Sequence, residues 1–246
     1  MAKALLFLKA GVATAELEAE LRASFKENFS VLDPPLLNNV TVRLMRSPEF
    51  DPLYNTESPH VHPDLVIEVL TAPGLVFSAV EEALVNSLDV AGIDCEQSLA
   101  LLMHQRVYLP HAPQPVNFHY LMLRREDLSP ADYCDYYSHY HCRFGIHCPG
   151  IEGYSQNYID QTGSQQLCRT LAMAYREVTS ISEMNTPSLE VFFGSPAMME
   201  LAEPTTMDEQ RFVDREQSVM FTSEVFFELG DMATIHQAIY PQHYDD

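Results

Sequence analysis

Residues 109–116 read LPHAPQPV and carry three prolines in eight positions. Proline fixes its backbone φ angle and has no N–H to donate, so this spacing disfavours both a helix and a central β-strand. The segment is therefore predicted to be an extended connection between two folded units. The apolar periodicity on its two sides predicts the same order of strands and helices, which indicates that one architecture occurs twice in the chain.

The first predicted unit covers residues 1–110. Apolar alternation marks its strands, and apolar residues at helical spacing mark its helices. The strands are predicted at 3–9, 39–45, 64–70 and 98–108, and the helices at 14–29 and 73–88. The resulting order is βαββαβ.

The second predicted unit covers residues 115–230 and is followed by a C-terminal tail, 231–246. Its first helix is indicated by SPAD at 129–132, an N-cap residue followed by a proline in the first turn. The strands are predicted at 117–124, 153–159, 188–194 and 218–229, and the helices at 129–144 and 196–214. Residues 160–187 are predicted as an insertion with a helix at 167–176, for which a lid and a simple excursion are the two interpretations.

The repeated order predicts the fold class. A βαββαβ unit is ferredoxin-like, and its four-stranded sheet has a face and edges that need covering. Two such units can pack into a closed barrel. We therefore predict an α+β protein whose two tandem ferredoxin-like halves form a dimeric-type α+β barrel, either within one chain or by exchange between the chains of a homodimer.

The composition excludes several classes of partner. The formal net charge is −21, from 35 acidic and 14 basic residues. Such a surface repels phosphate backbones and anionic lipids, so neither nucleic acid nor a membrane is an expected partner. The apolar run near the N-terminus is too short for a secretion signal, and no apolar stretch approaches the roughly 20 residues that cross a bilayer, which predicts a cytoplasmic protein. The five cysteines form no CxxC pair, so reduced thiols and no metal site are expected.

The residues suited to chemistry are concentrated at 133–158, YCDYYSHYHCRFGIHCPGIEGYSQNY, which holds three histidines and six tyrosines. If a helix covers 130–144, then Tyr133, Tyr137 and His141 lie at i, i+4 and i+8 on one face and can contact the same small molecule. Imidazole titrates near neutral pH, so His141 is suited to acid/base catalysis, and Tyr137 is suited to hydrogen-bond a carbonyl or phenolate.

This segment resembles the EthD family of the dimeric α+β barrel superfamily. The family pattern is an aromatic residue on the first helix, a histidine four residues later and a Pro-Gly pair eight residues after that, here Tyr137, His141 and Pro149-Gly150. The following Gly153-Tyr154 and Gln156-Asn157, LEVFFGS at 189–195 and MDEQRFVD at 207–214 are also similar to the family. The resemblance covers most of residues 117–228.

The resemblance implies an enzyme that needs no metal or organic cofactor and acts on a small aromatic or polyketide-like substrate. We therefore predict a cofactor-independent lyase, cyclase or isomerase, with dehydration, decarboxylation or aldehyde release as its reaction. The candidate catalytic residues are His141, Tyr137, His139 and His147, and the candidate substrate-binding residues are Tyr133, Tyr154, Asn157 and Arg124. Asp208, Glu209 and Asp214 are predicted to be structural, with helix capping as their role.

Two other functions remain open at this point. The first is a non-catalytic binding or stress-response protein that holds a hydrophobic ligand in the same barrel. The second is an oxygenase or a haem-dependent enzyme, because related barrels use a histidine to hold haem.

Overall fold

The computed structural model describes residues 1–53, 62–110 and 112–230. The predicted tail, 231–246, lies outside the described residues. The eight strands are β1 (Ala2–Leu8), β2 (Val40–Arg46), β3 (Leu65–Thr71), β4 (Leu99–Leu109), β5 (Val116–Arg124), β6 (Gly153–Ile159), β7 (Ser180–Thr186) and β8 (Val213–Leu229). The α-helices are α1 (Thr14–Ser30), α2 (Pro34–Leu37), α3 (Ser78–Ser87), α4 (Pro130–Tyr136), α5 (Cys142–Ile146), α6 (Gln161–Thr170), α7 (Leu189–Phe193) and α8 (Pro196–Glu209), and a π-helix covers Tyr137–His141.

The strands form one closed antiparallel barrel in the order β1-β3-β2-β8-β5-β7-β6-β4. The pairs β2–β8 and β4–β6 join the strands before the proline-rich segment to those after it. The orders β4-β1-β3-β2 and β8-β5-β7-β6 are equivalent positions in the two halves. The predicted mixed α and β barrel is confirmed, and one chain is sufficient to close it.

Helix packing covers the outer face of the first four strands. Leu17, Leu21, Phe25 and Phe29 of α1 recur every fourth residue, are fully buried, and belong to the apolar cluster that contains β1 and α3. The described residues between Leu109 and Val116 form no helix or strand, as the proline content predicts.

Strand β7 consists of residues other than those predicted from the sequence. The prediction of a strand at 188–194 is wrong, because the Ser188 side chain caps a short helix by accepting a hydrogen bond from the Val191 amide at 3.1 Å. The strand is instead Ser180–Thr186, inside the predicted insertion. Its sequence SISEMNT is polar because Glu183 and Asn185 face the polar interior of the barrel, so the apolar alternation that marks most strands is missing.

The remaining part of the predicted insertion is α6, which starts six residues before the predicted helix. Asp160 caps it by accepting from the Gly163 amide at 2.9 Å. The helix is fixed along β4, where the Ser164 hydroxyl accepts a hydrogen bond from the Leu102 amide at 2.9 Å. It therefore packs against the barrel wall, and its residues do not line the cavity described below.

The barrel interior holds buried charges. Lys3 forms ion pairs with Glu68 and with Glu183, the latter at 2.5 Å, and Arg43 donates to the Asn117 side chain at 3.2 Å. Burial alone would lower the pKa of Lys3, but the two carboxylates raise it. Within the described ranges, no helix is long and apolar enough to cross a membrane.

Candidate active site

A cavity of about 200 Å³ lies between the outer face of β5, β6, β7 and β8 and the helices that follow β5 and β7. Most of its wall is apolar, and the phenylalanine and methionine residues of this wall are Phe118, Phe144, Met184, Phe192, Phe193, Met198 and Met220. An apolar cavity of roughly 150 Å³ is sufficient for benzene. The cavity therefore has room for an aromatic compound of one or two rings.

His141 lies in the wall of this cavity and is paired with Asp208. The distance from His141 Nδ1 to Asp208 Oδ2 is 2.9 Å, and both residues are buried. A carboxylate on Nδ1 places the ring proton there and leaves Nε2 as the proton acceptor. Among the described residues, no hydrogen bond to Nε2 is present. The pair has the geometry of a general base held by a carboxylate.

The environment keeps His141 neutral. Burial lowers its pKa below the ordinary value, and the hydrogen bond to Asp208 opposes this only in part. A neutral imidazole can accept a proton at physiological pH. Asp208 is itself held by the Tyr136 hydroxyl, which donates to Oδ1 at 2.7 Å, and by the Arg143 guanidinium at 3.4 Å.

The helix that carries His141 is not continuous. The prediction of a single α-helix at 129–144 is wrong, because residues 137–141 form a π-helix between α4 and α5. A π-helix has more residues per turn than an α-helix, so residues at i and i+4 no longer lie directly above each other. Tyr137 and His141 remain neighbours with ring centroids 5.9 Å apart, but Tyr137 is completely buried against Phe212 and does not line the cavity.

The other candidate catalytic histidines lie away from the cavity. His139 is exposed and its Nδ1 is 3.1 Å from Asp135 Oδ1, and His147 is exposed in the turn after α5. Neither of them lines the cavity.

The candidate substrate-binding residues are divided among three places. Tyr154 lines the cavity. Tyr133 is buried behind it with its hydroxyl 2.6 Å from Ser180 Oγ, and Asn157 faces the barrel interior, where it donates to Glu183 at 2.7 Å. The Arg124 guanidinium donates to the carbonyls of Arg125 and Leu128 and holds a turn.

Sequence reasoning missed a second polar group in the cavity wall. Glu209 accepts a hydrogen bond from Arg215 at 2.6 Å, and the Tyr120 hydroxyl lies in the same wall. Burial, followed by the charge of Asp208, raises the pKa of Glu209 to about 7, although Arg215 lowers it. The available signal was the acidic pair Asp208-Glu209 in the stretch MDEQRFVD, for which the sequence predicted only a structural role in helix capping.

The His141–Asp208 pair lies within the part of the chain that is similar to a known protein family. Residues 125–216 match the EthD domain. The resemblance based on Tyr137, His141 and Pro149-Gly150 is thereby confirmed, and this EthD segment also contains Asp208. No curated protein matches the sequence.

Solved structures of the same fold cover nearly the whole chain. An anthrone oxidase-like protein has a TM-score of 0.57 at 7% identity, with 92% of each chain covered. A protein described as a monooxygenase from Lactobacillus acidophilus NCFM has a TM-score of 0.51 at 10% identity and covers 94% of this chain and 99% of its own. A variant of chlorite dismutase from Candidatus Nitrospira defluvii has a TM-score of 0.52 at 10% identity, with 90% of each chain covered. These similarities establish the dimeric α+β barrel fold.

The prediction of a cofactor-independent lyase, cyclase or isomerase is wrong. The structures similar to the EthD segment and its barrel are named as a monooxygenase, an oxidase-like protein and a dismutase.

Haem does not fit the cavity. His141 with a carboxylate on Nδ1 is a suitable donor for iron. However, a volume of about 200 Å³ is close to that needed for one or two aromatic rings and is too small for a macrocycle of four pyrrole rings.

Proposed function

We propose that this protein is an oxygenase that oxidises a small aromatic compound of one or two rings, with molecular oxygen as the oxidant. The observation that carries the proposal is the His141–Asp208 pair in the wall of an apolar cavity within the EthD segment. The names of the structurally similar proteins support the reaction class.

The chemistry follows from the proton that His141 can accept. His141 Nε2 removes the proton of a phenolic hydroxyl, and Asp208 stabilises the imidazolium that forms. The phenolate is electron-rich enough to transfer electrons to oxygen, which then bonds to the ring carbon para to the hydroxyl. Loss of the hydrogen on that carbon and cleavage of the O–O bond give a quinone and water. The ring supplies all four electrons, and His141 returns its proton to the departing oxygen.

The apolar wall contributes by excluding water from the phenolate. A desolvated anion is a stronger electron donor, and the fixed hydrogen bond at Nδ1 positions the base without reorganisation. Phe118 and Phe192, with ring centroids 5.5 Å apart, are available to pack against the substrate ring.

The test uses phenol and 1-naphthol, which have one and two rings, in air-saturated buffer, and measures oxygen consumption and the absorbance of the quinone. One oxygen molecule should be consumed for each quinone formed. In His141→Asn the side-chain amide can still donate to Asp208, but the base at Nε2 is removed, so we expect a loss of at least about 100-fold in rate. The matched control is His139→Asn, since His139 is exposed and outside the cavity.

Two outcomes would contradict this function. Equal rates in His141→Asn and the native protein would remove His141 as the base. Binding of both compounds without oxygen uptake would mean that the protein binds aromatic ligands and does not oxidise them.

We also infer that residues 1–110 and 115–230 are tandem ferredoxin-like units. The equivalent strand orders of the two halves support this division. The EthD segment lies in the second unit, so the first unit serves to close the barrel.

A further inference from the structure

The three polar side chains at a second position of the cavity wall are not used by the proposed proton transfer. They are Tyr120 on β5, Glu209 at the end of α8 and Arg215 on β8, and we call them the Arg215 cluster. Their chemistry indicates what kind of ligand the cavity takes.

Arg215 is the cationic member of the cluster, and the other described residues that line the cavity include no lysine or arginine. Its Nη1 donates to Glu209 Oε2 at 2.6 Å, which is the hydrogen bond that its guanidinium makes among the described residues. A guanidinium has five N–H donors, so most of them stay available. The side chain is 33% exposed, which leaves it accessible to a ligand.

Glu209 is a weak partner for this arginine. It is buried, and its pKa of about 7 means that a large fraction carries a proton at neutral pH. The protonated form has no charge with which to hold the guanidinium. A ligand carboxylate can therefore take the place of Glu209 on Arg215.

Tyr120 adds a hydrogen-bond donor at the same position. Its hydroxyl is buried and makes no hydrogen bond within 3.5 Å among the described residues, although it lies near enough to the Glu209 carboxyl to interact with it weakly. Burial, followed by the charge of Glu209, raises the pKa of Tyr120, so the hydroxyl keeps its proton. A buried donor without a partner is costly, and a ligand oxygen would satisfy it.

We propose that the Arg215 cluster binds the carboxylate of an aromatic acid whose ring occupies the apolar part of the cavity. The inference rests on the proposed function where it takes this acid as the substrate of the oxygenase. Arginine binds carboxylates through two parallel N–H donors, which fixes the orientation of the ring as well as its affinity.

Binding of the anion should be accompanied by proton uptake at Glu209. The charged or titratable groups that influence Glu209 are Asp208, Arg215, Tyr120 and Tyr133. A second negative charge beside Arg215 favours the neutral form of Glu209. Affinity for the acid should therefore fall as the pH rises above 7.

The experiment compares the binding affinities of 1-naphthoate and of 1-naphthamide, which has a similar size and no charge. Binding is followed by the fluorescence of the ligand in oxygen-free buffer. The native protein should bind the naphthoate at least about tenfold more tightly, and Arg215→Gln should weaken naphthoate binding by about 10- to 100-fold. Naphthamide binding should change by less than about threefold. Arg169→Gln is the matched control, since Arg169 is exposed on α6 and outside the cavity.

A second variant tests the competition between the two carboxylates. Glu209→Gln removes the competitor, so at about pH 8.5, where native Glu209 is ionised, naphthoate should bind more tightly to the variant, and calorimetry in two buffers should no longer show proton uptake. Arg215→Lys keeps the positive charge but lacks the two parallel N–H donors of the guanidinium, so it should retain part of the preference for naphthoate over naphthamide. Unchanged naphthoate binding in Glu209→Gln would overturn the proposal even if Arg215→Gln does not fold.

The outcomes separate this inference from the proposed function. The role of the cluster would be overturned if the native protein bound the two compounds with equal affinity, or if Arg215→Gln lost equal affinity for both. Neither result would contradict the proposed oxygenase activity. The preference for naphthoate should persist in His141→Asn, which lacks the base. Its persistence in a protein that consumes no oxygen would support the cluster and overturn the oxygenase.

Discussion

At the residue scale, the proposed role of His141 as a base depends on a partner that is 67 positions away in the sequence. Asp208 is 4% exposed and accepts hydrogen bonds from His141, Tyr136 and Arg143. A buried carboxylate with this many donors is fixed in position, so it can fix the imidazole in turn. Helix capping, which the sequence predicted for Asp208, does not describe these contacts.

Asp208→Asn should lower the rate of oxygen consumption by about 10- to 100-fold, because a charge-assisted hydrogen bond becomes a neutral one. Asp208 raises the pKa of His141, so its removal should lower that pKa further. Activity requires the neutral imidazole and is lost as the pH falls through this pKa. The acidic limb of the pH–rate profile should therefore move to lower pH.

The measurement is the rate of quinone formation as a function of pH, with Asp214→Asn as the control. Asp214 accepts a hydrogen bond from the Gln217 amide and does not contact His141. An acidic limb that stays in place in Asp208→Asn would mean that the two residues are not coupled.

At the element scale, the π-helix and the short α5 determine how His141 and Tyr154 reach the cavity. Gly145 of α5 lies against the ring of Tyr154, where a Cβ atom would overlap the ring. The Pro149-Gly150 pair lies in the turn after α5, and Gly150 has a φ of 78°, which an L side chain rarely adopts. The glycines of this segment therefore allow a close approach that larger residues would prevent.

Gly145→Ala should destabilise the protein by about 1–3 kcal/mol, because the added methyl group must displace either Tyr154 or α5. The free energy of unfolding in urea measures the change. Gly11→Ala is the control, since its Cβ would lie 3.6 Å from the Gly92 carbonyl oxygen, an ordinary contact, and should change stability by less than about 0.5 kcal/mol. An equal stability of the two variants would contradict the close contact.

At the scale of the whole molecule, the barrel interior joins the two halves through charge. Lys3 on β1 is paired with Glu68 on β3 and with Glu183 on β7, so one lysine contacts both halves. Burial would raise the pKa of Glu183, but Lys3, followed by His119, lowers it below the ordinary value. This network holds the halves in one register. Whether two such barrels associate stays a prediction that light scattering can test.

Lys3→Met should destabilise the protein by about 3–5 kcal/mol at neutral pH, because two buried carboxylates lose their common partner. The depressed pKa of Glu183 stabilises the native state above the ordinary pKa of glutamate, and this contribution is lost as the pH falls below it. The variant should therefore show a smaller loss of stability on acidification than the native protein.

Urea unfolding at several pH values measures this difference. Lys26→Met is the control, since Lys26 is exposed and lies 5.6 Å from the ring of Phe227, a contact worth at most about 1 kcal/mol. A parallel pH dependence in Lys3→Met and the native protein would remove Lys3 as the partner of Glu183.

The sequence by itself determined the repeated order of strands and helices, the EthD resemblance and the choice of His141 as the candidate base. These depend on local periodicity, on caps such as Ser129 and on the fixed spacing between His141 and Pro149-Gly150. Only the tertiary structure decided that residues 180–186 form a strand and that His141, Glu209 and Arg215 meet in one cavity. The physical reason is that a polar strand facing a charged interior has no apolar alternation, and that pairing across a barrel joins residues whose separation in the sequence gives no local signal.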